Sequence, residues 1–122
     1  MTRINASIKP VELPSKLLLA ELREIKRIPN VINSGRYSID GIPKEFTLNK
    51  GHVKFFYNKN GYTLSRYKEL RLEALKRGFN VQDFSSAWEG LPVELMNDWQ
   101  ETEKARELLI ERIKERGFKL LK

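Results

Sequence analysis

Three stretches of this chain carry apolar residues at helical spacing, and each stops at a glycine: Gly35, Gly78 and Gly117. The pattern constrains the fold strongly. An amphipathic stripe must be buried against another element, and glycine takes the left-handed conformation that commonly ends a helix. In the first stretch Ser15 is placed to cap a helix that starts after Pro10 and Pro14. Leu18, Leu22, Ile25 and Ile32 then share one face, while Arg23, Glu24 and Arg27 fall opposite with Ala20 between them. Pro29 interrupts and kinks this helix, and Ser34-Gly35 ends it. A second helix fits residues 62 to 77, with Leu64, Tyr67, Leu70, Ala74 and Leu75 as its buried stripe and Arg66, Lys76 and Arg77 outside it. A third fits about 100 to 116, with Ala105, Leu108, Leu109 and Ile113 facing inward. The expected fold is all-α: one compact domain over residues 1–122, with three main helices and long ordered loops.

The remaining segments read as those loops. Gly35, Asp40-Gly41, Pro43, Gly51 and Gly61 punctuate residues 35 to 61. Within them Val53-Lys54-Phe55-Phe56-Tyr57 is apolar but has no partner strand, so it reads as an extended packing segment. Residues 80 to 98 are loop-like, with a short turn near Glu94-Leu95-Met96. The strings KRGFN at 76–80 and ERGFK at 115–119 look like a repeat, but two similar helix ends account for them.

Composition narrows the chemistry. The chain has no cysteine and one histidine, His52, which excludes disulfides, cysteine-ligated metals and zinc sites built from several histidines. No phosphate-binding glycine loop, His-Glu-x-x-His motif, calcium loop or nucleophile elbow occurs. No carboxylate cluster suggests a metal-dependent nuclease. Nothing approaches the roughly 18 apolar residues of a membrane span, and the N-terminus has no secretory pattern. A cytoplasmic protein, monomeric by default, is the expectation. Lys and Arg number 23 against 16 Asp and Glu, a formal charge of +7. That surplus suits a polyanion, most often nucleic acid, although a basic surface kept for solubility has the same composition.

Three places hold possible chemistry. Loss of Met1 would leave Thr2 with a free α-amine. Its ordinary pKa of about 7.7–8.0 lies far below the roughly 10.4 of lysine, and the adjacent Arg3 favours the neutral nucleophile further. The plain alternative is an inert terminus. On the first helix, Arg23 and Arg27 lie one turn apart and suit bidentate phosphate binding, and Glu24 between them can exchange protons with a substrate. A solvated face with local ion pairs is the plain alternative. At 51–57 a lysine sits among aromatics, as on nucleic-acid surfaces, yet a three-helix domain needs Phe55 and Phe56 as core and His52 reads as structural.

Five blocks occur in a telling order: MTRIN at the start, AELREIKRIPNV at 20–31, GHVKFFYNK at 51–59, RYKELRLEALKRGFNV at 66–81 and LPVELMNDW at 91–99. Together they resemble the phage-type pyrimidine-dimer DNA glycosylases, also called endonuclease V, over about residues 1 to 99. The resemblance implies a compact three-helix enzyme without metal or cofactor, acting on lesion-bearing double-stranded DNA as a glycosylase and abasic-site lyase. It implies that Thr2 attacks C1′ of the 5′ nucleotide of a cyclobutane dimer, forming a Schiff base. The resemblance also implies that Glu24 is the carboxylate that assists β-elimination and that Arg3, Arg23 and Arg27 bind DNA at the lesion. The DNA would be kinked and the base opposite the lesion flipped out. Lys26, Lys50, Lys54 and Arg112 are candidates for further phosphate contacts on charge alone.

The chain departs from the family in two places. Leu17 and Leu22 stand where members often carry histidines, and Phe118-Lys119-Leu120-Leu121-Lys122 stands where the phage enzyme has an aromatic, lysine-bearing tail. These leave two alternatives open: a lyase for other lesions or abasic sites, and a non-catalytic basic DNA-binding module.

Overall fold

The computed structural model describes residues 4–121. Its α-helices are α1 (Ser15–Ile25), α2 (Arg27–Ser34), α3 (Asn60–Lys76) and α4 (Glu103–Glu115). Short 3-10 turns cover Pro10–Glu12, Lys54–Phe56, Ser85–Trp88 and Val93–Leu95. The three expected helices are present, the first in two pieces. The break falls at Lys26, one turn before Pro29. Proline has no N–H for the carbonyl four residues back, and its ring crowds that carbonyl, here that of Ile25. Among the described residues no strand forms, only an isolated bridge between Lys59 and Met96.

The helix ends explain the repeated string. Gly78 has φ +89° and Gly117 φ +83°. After them the Phe79 N–H donates to Ala74 O at 3.0 Å and the Phe118 N–H to Ile113 O at 3.1 Å. Both are the same left-handed helix cap, which satisfies a carbonyl the helix itself leaves unpaired.

Several sequence expectations need correction. Ser15 does not cap α1: Pro14 holds that position, and Ser15 Oγ accepts from Arg77 Nη1 at 3.2 Å. The second helix starts at Asn60, two residues early, with Gly61 inside it. A Cβ on Gly61 would lie 2.8 Å from Met96 O, so this glycine permits close backbone approach rather than breaking a helix. The N–H groups of Gly61 and Tyr62 both donate to Asn97 O, at 3.1 and 3.2 Å. The third helix begins at Glu103 because Thr102 caps it, Oγ1 accepting from the Ala105 N–H at 3.1 Å. Residues 54–56 are a tight 3-10 turn rather than extended, though Phe55 and Phe56 are fully buried as core. Leu75 is exposed, while Arg66 is buried.

The loops are ordered because aromatics pin them. Phe46, Phe55 and Phe56 pack on one another and on Trp99, and Phe56 and Trp99 meet Tyr62 of α3, with ring centroids 5.1 to 6.1 Å apart in edge and stacked pairs. Trp88 is buried and its Nε1 donates to Thr63 Oγ1 at 3.0 Å. Asn60, wholly buried, donates from Nδ2 to Tyr57 O and Leu95 O, joining both loops to the start of α3.

The N-terminal arm is built into the core. Ile4, Ala6, Ile8 and Leu13 are fully buried. Arginines of α3, of its C-cap and of α4 tie its backbone. Arg66 Nη1 donates to Ile8 O at 2.6 Å, Arg106 Nη1 to Ser7 O at 3.1 Å, and Arg77 Nη2 to Pro10 O at 3.2 Å. Arg106 also grips both carboxylate oxygens of Glu12, at 2.8 and 2.7 Å. Its hydrogen bond to Glu12 holds that carboxyl below its ordinary range against a smaller effect of burial.

Candidate active site

Glu24 lies in the last turn of α1, with its side chain 21% exposed. The turn's apolar side, Leu22 and Ile25, is buried, which aims Glu24 and Arg23 away from the core. Arg27 Nε lies 2.8 Å from Glu24 Oε2, an i,i+3 ion pair across the α1–α2 break. Arg27 is 62% exposed, and its guanidinium orients the Glu24 carboxylate. Arg23 is exposed next to them.

One turn before Glu24, Glu21 performs a different task. It is buried and paired with buried Arg66 of α3, Arg66 Nε donating to Oε2 at 2.9 Å and Nη2 to Oε1 at 3.1 Å. Burial opposes the charge on Arg66, but the field and hydrogen bonds of Glu21 outweigh it, and its pKa is raised. Asn5 Nδ2 donates to the same Oε1 of Glu21 at 3.0 Å. The neighbouring Ile4 N–H donates to His52 Nε2 at 2.8 Å. Nε2 therefore accepts, the ring carries its proton on Nδ1, and Nδ1 donates to Thr47 O at 2.8 Å. Buried His52 is thus engaged through both ring nitrogens. Asn5, Glu21 and Glu24 line one depression of about 90 Å³ with Arg116 and Phe118 from the end of α4. The sequence reading missed Arg116. Its only sequence signal is a cation at the end of a helix.

The candidate cations fall into two groups. Lys50, Lys54 and Arg112 converge on one groove of about 840 Å³ that His52 also lines. Arg112 Nε lies 3.5 Å from Glu115 Oε2 and is 32% exposed. Lys26 lies elsewhere, with Nζ 3.8 Å from the centre of the Phe84 ring, a cation–π contact. It shares a second groove, of about 370 Å³, with Arg23 and Tyr67. Leu22 lines that groove and Leu17 the depression beside Glu24, so both leucines at the expected histidine positions border the site. Thr2 and Arg3 lie outside the described residues.

Among the described residues no group of three or more metal-ligating side chains occurs, and no helix is long and apolar enough to cross a membrane. Residues 1–86 match the family model described as pyrimidine dimer DNA glycosylase, a stretch that contains Glu24, its arginines, the Glu21–Arg66 pair and His52. That match covers well over half the chain, and on it this chain belongs to the pyrimidine dimer DNA glycosylase family, whose substrate is DNA.

Proposed function

We propose that this protein acts on cyclobutane pyrimidine dimers in double-stranded DNA as a combined glycosylase and abasic-site lyase. The α-amine of Thr2, freed by loss of Met1, attacks C1′ of the dimer's 5′ nucleotide. The C1′–N bond breaks, its electron pair leaves with the base, and the amine loses a proton as the ring-opened sugar becomes an imine. Removal of a C2′ proton then expels the 3′ phosphate by β-elimination, cutting the strand. Glu24 supports the positive charge that develops on the sugar and moves protons during ring opening and elimination. These steps need neither metal nor cofactor.

The observation that carries this reading is the placement of Asn5 beside Glu24. Asn5 is held by Glu21, one turn before Glu24 on the same helix, and both border the depression that Glu24 lines. Thr2 is three residues from Asn5, about 10 Å of chain at most. Arg23 and Arg27 bind the flanking phosphates, with Arg3 from the N-terminal arm. Lys26 adds a contact beside Arg23 in the smaller groove, and Lys50, Lys54 and Arg112 hold phosphate along the larger one.

Glu24→Gln tests the assignment. It keeps the shape of the side chain and loses its charge. Strand cleavage of dimer-containing duplex should fall at least about a hundredfold, within the range for a lost general acid–base group, with binding retained. Cleavage at the unsubstituted rate would remove Glu24 from the mechanism.

A further inference from the structure

Two adjacent residues of the N-terminal arm are each held by a side chain from a different part of the fold. Asn5 is held by Glu21 of α1, and the Ile4 backbone by His52, which follows the turn that Gly51 makes with φ +95°. The second contact has an unusual form. A buried imidazole accepts from a main-chain N–H 48 residues away, while its other nitrogen is anchored on Thr47 O. Edge contacts with Phe46 and Phe56, centroids 5.4 and 5.9 Å away, fix the ring's plane. The imidazole has one tautomer that fits both bonds and little room to turn.

The position of the bond along the chain gives it functional weight. Ile4 is two residues from Thr2, so the bond fixes the chain about 7 Å or less from the reacting amine. An attacking nitrogen must meet C1′ at close range along a defined line, and small misplacements cost rate far more than they cost binding. We infer that His52 is a positioning residue for the N-terminal nucleophile: through the Ile4 N–H it anchors the arm two residues from Thr2 and so limits how far the reacting amine can stray from the site. It touches no substrate in this role. The inference rests on the reading of Thr2 as nucleophile given above.

The test compares His52→Leu and His52→Gln with the unsubstituted protein. Leucine fills much of the space and removes the acceptor, whereas glutamine retains an acceptor oxygen. Three quantities are read: melting temperature, affinity for duplex bearing a tetrahydrofuran abasic analogue, and the single-turnover rate of borohydride-trapped imine on abasic duplex. His52→Leu should lower the trapping rate tenfold or more with affinity within about twofold, and His52→Gln should recover most of that loss. A trapping rate unchanged in His52→Leu, or a loss that tracks affinity, would overturn the inference. If neither variant folds, the unsubstituted protein still decides. Long-range nitrogen NMR should show His52 protonated on Nδ1 alone, with the Ile4 amide protected from exchange. A proton on Nε2, or a rapidly exchanging Ile4 amide, would overturn it. Absence of any imine with the unsubstituted protein would instead refute Thr2 as nucleophile.

Discussion

Arg66 of α3 holds both carboxylate oxygens of Glu21 of α1, at 2.9 and 3.1 Å, and neither side chain is more than 3% exposed. The pair joins the two helices that pack most extensively on each other, and the arm is fastened to it through Asn5 and Ile8. Its location, one turn from Glu24, makes the scaffold and the candidate site parts of one network.

Breaking this pair from one side should therefore cost much of the fold's stability. Glu21→Ala leaves a buried guanidinium without its carboxylate, and the expected loss is about 3–5 kcal/mol. Urea denaturation measures it. A loss under about 1 kcal/mol would show that the pair is not structural.

That pair also shows where the sequence was legible. The apolar stripes and terminal glycines predicted the helices, because periodicity and left-handed caps are local properties. Arg66 read as surface because its partner, Glu21, lies 45 residues away and nothing in local spacing announces it. That Glu24 shares a face with Arg23 and Arg27 was legible, because the three lie within about one turn. The hold of His52 on Ile4 was not, since it joins a loop to a backbone N–H that has no sequence identity. Gly61 misled for the same reason: the carbonyls that demand it belong to residues 96 and 97.

Gly61→Ala should destabilise the protein by about 1–3 kcal/mol, because the added Cβ meets backbone rather than a flexible side chain. Trp99, two residues beyond Asn97, gives a fluorescence signal for the displaced loop. Unchanged stability would mean that the loop yields without cost.

The Glu12–Arg106 pair predicts an acid limb. Folding lowers the Glu12 pKa, so the folded state binds this proton more weakly than the unfolded chain does. Its stabilisation is complete above the ordinary carboxylate range and is lost as pH falls through the lowered folded value. Melting temperature against pH should drop less steeply below about pH 4.5 in Glu12→Gln, which should also be less stable at pH 7 by about 1 kcal/mol. Parallel curves would place the acid sensitivity elsewhere.

Arg23 is exposed on the proposed DNA face. Arg23→Ala should reduce the salt slope of duplex binding by about one, the release of roughly one counterion. An unchanged slope would mean that this guanidinium meets no phosphate.

The most direct test of the account is borohydride trapping, after intact mass has confirmed loss of Met1, on duplexes carrying one cyclobutane dimer, one abasic site or no damage. The account predicts a covalent adduct on the dimer and abasic duplexes, mapped by peptide sequencing to Thr2, and none on undamaged DNA. An adduct mapped to a lysine would contradict it, and Lys59, whose pKa is lowered by burial, is the one to watch. Absence of adduct on every duplex would contradict it as fully, leaving a protein that binds DNA without this chemistry.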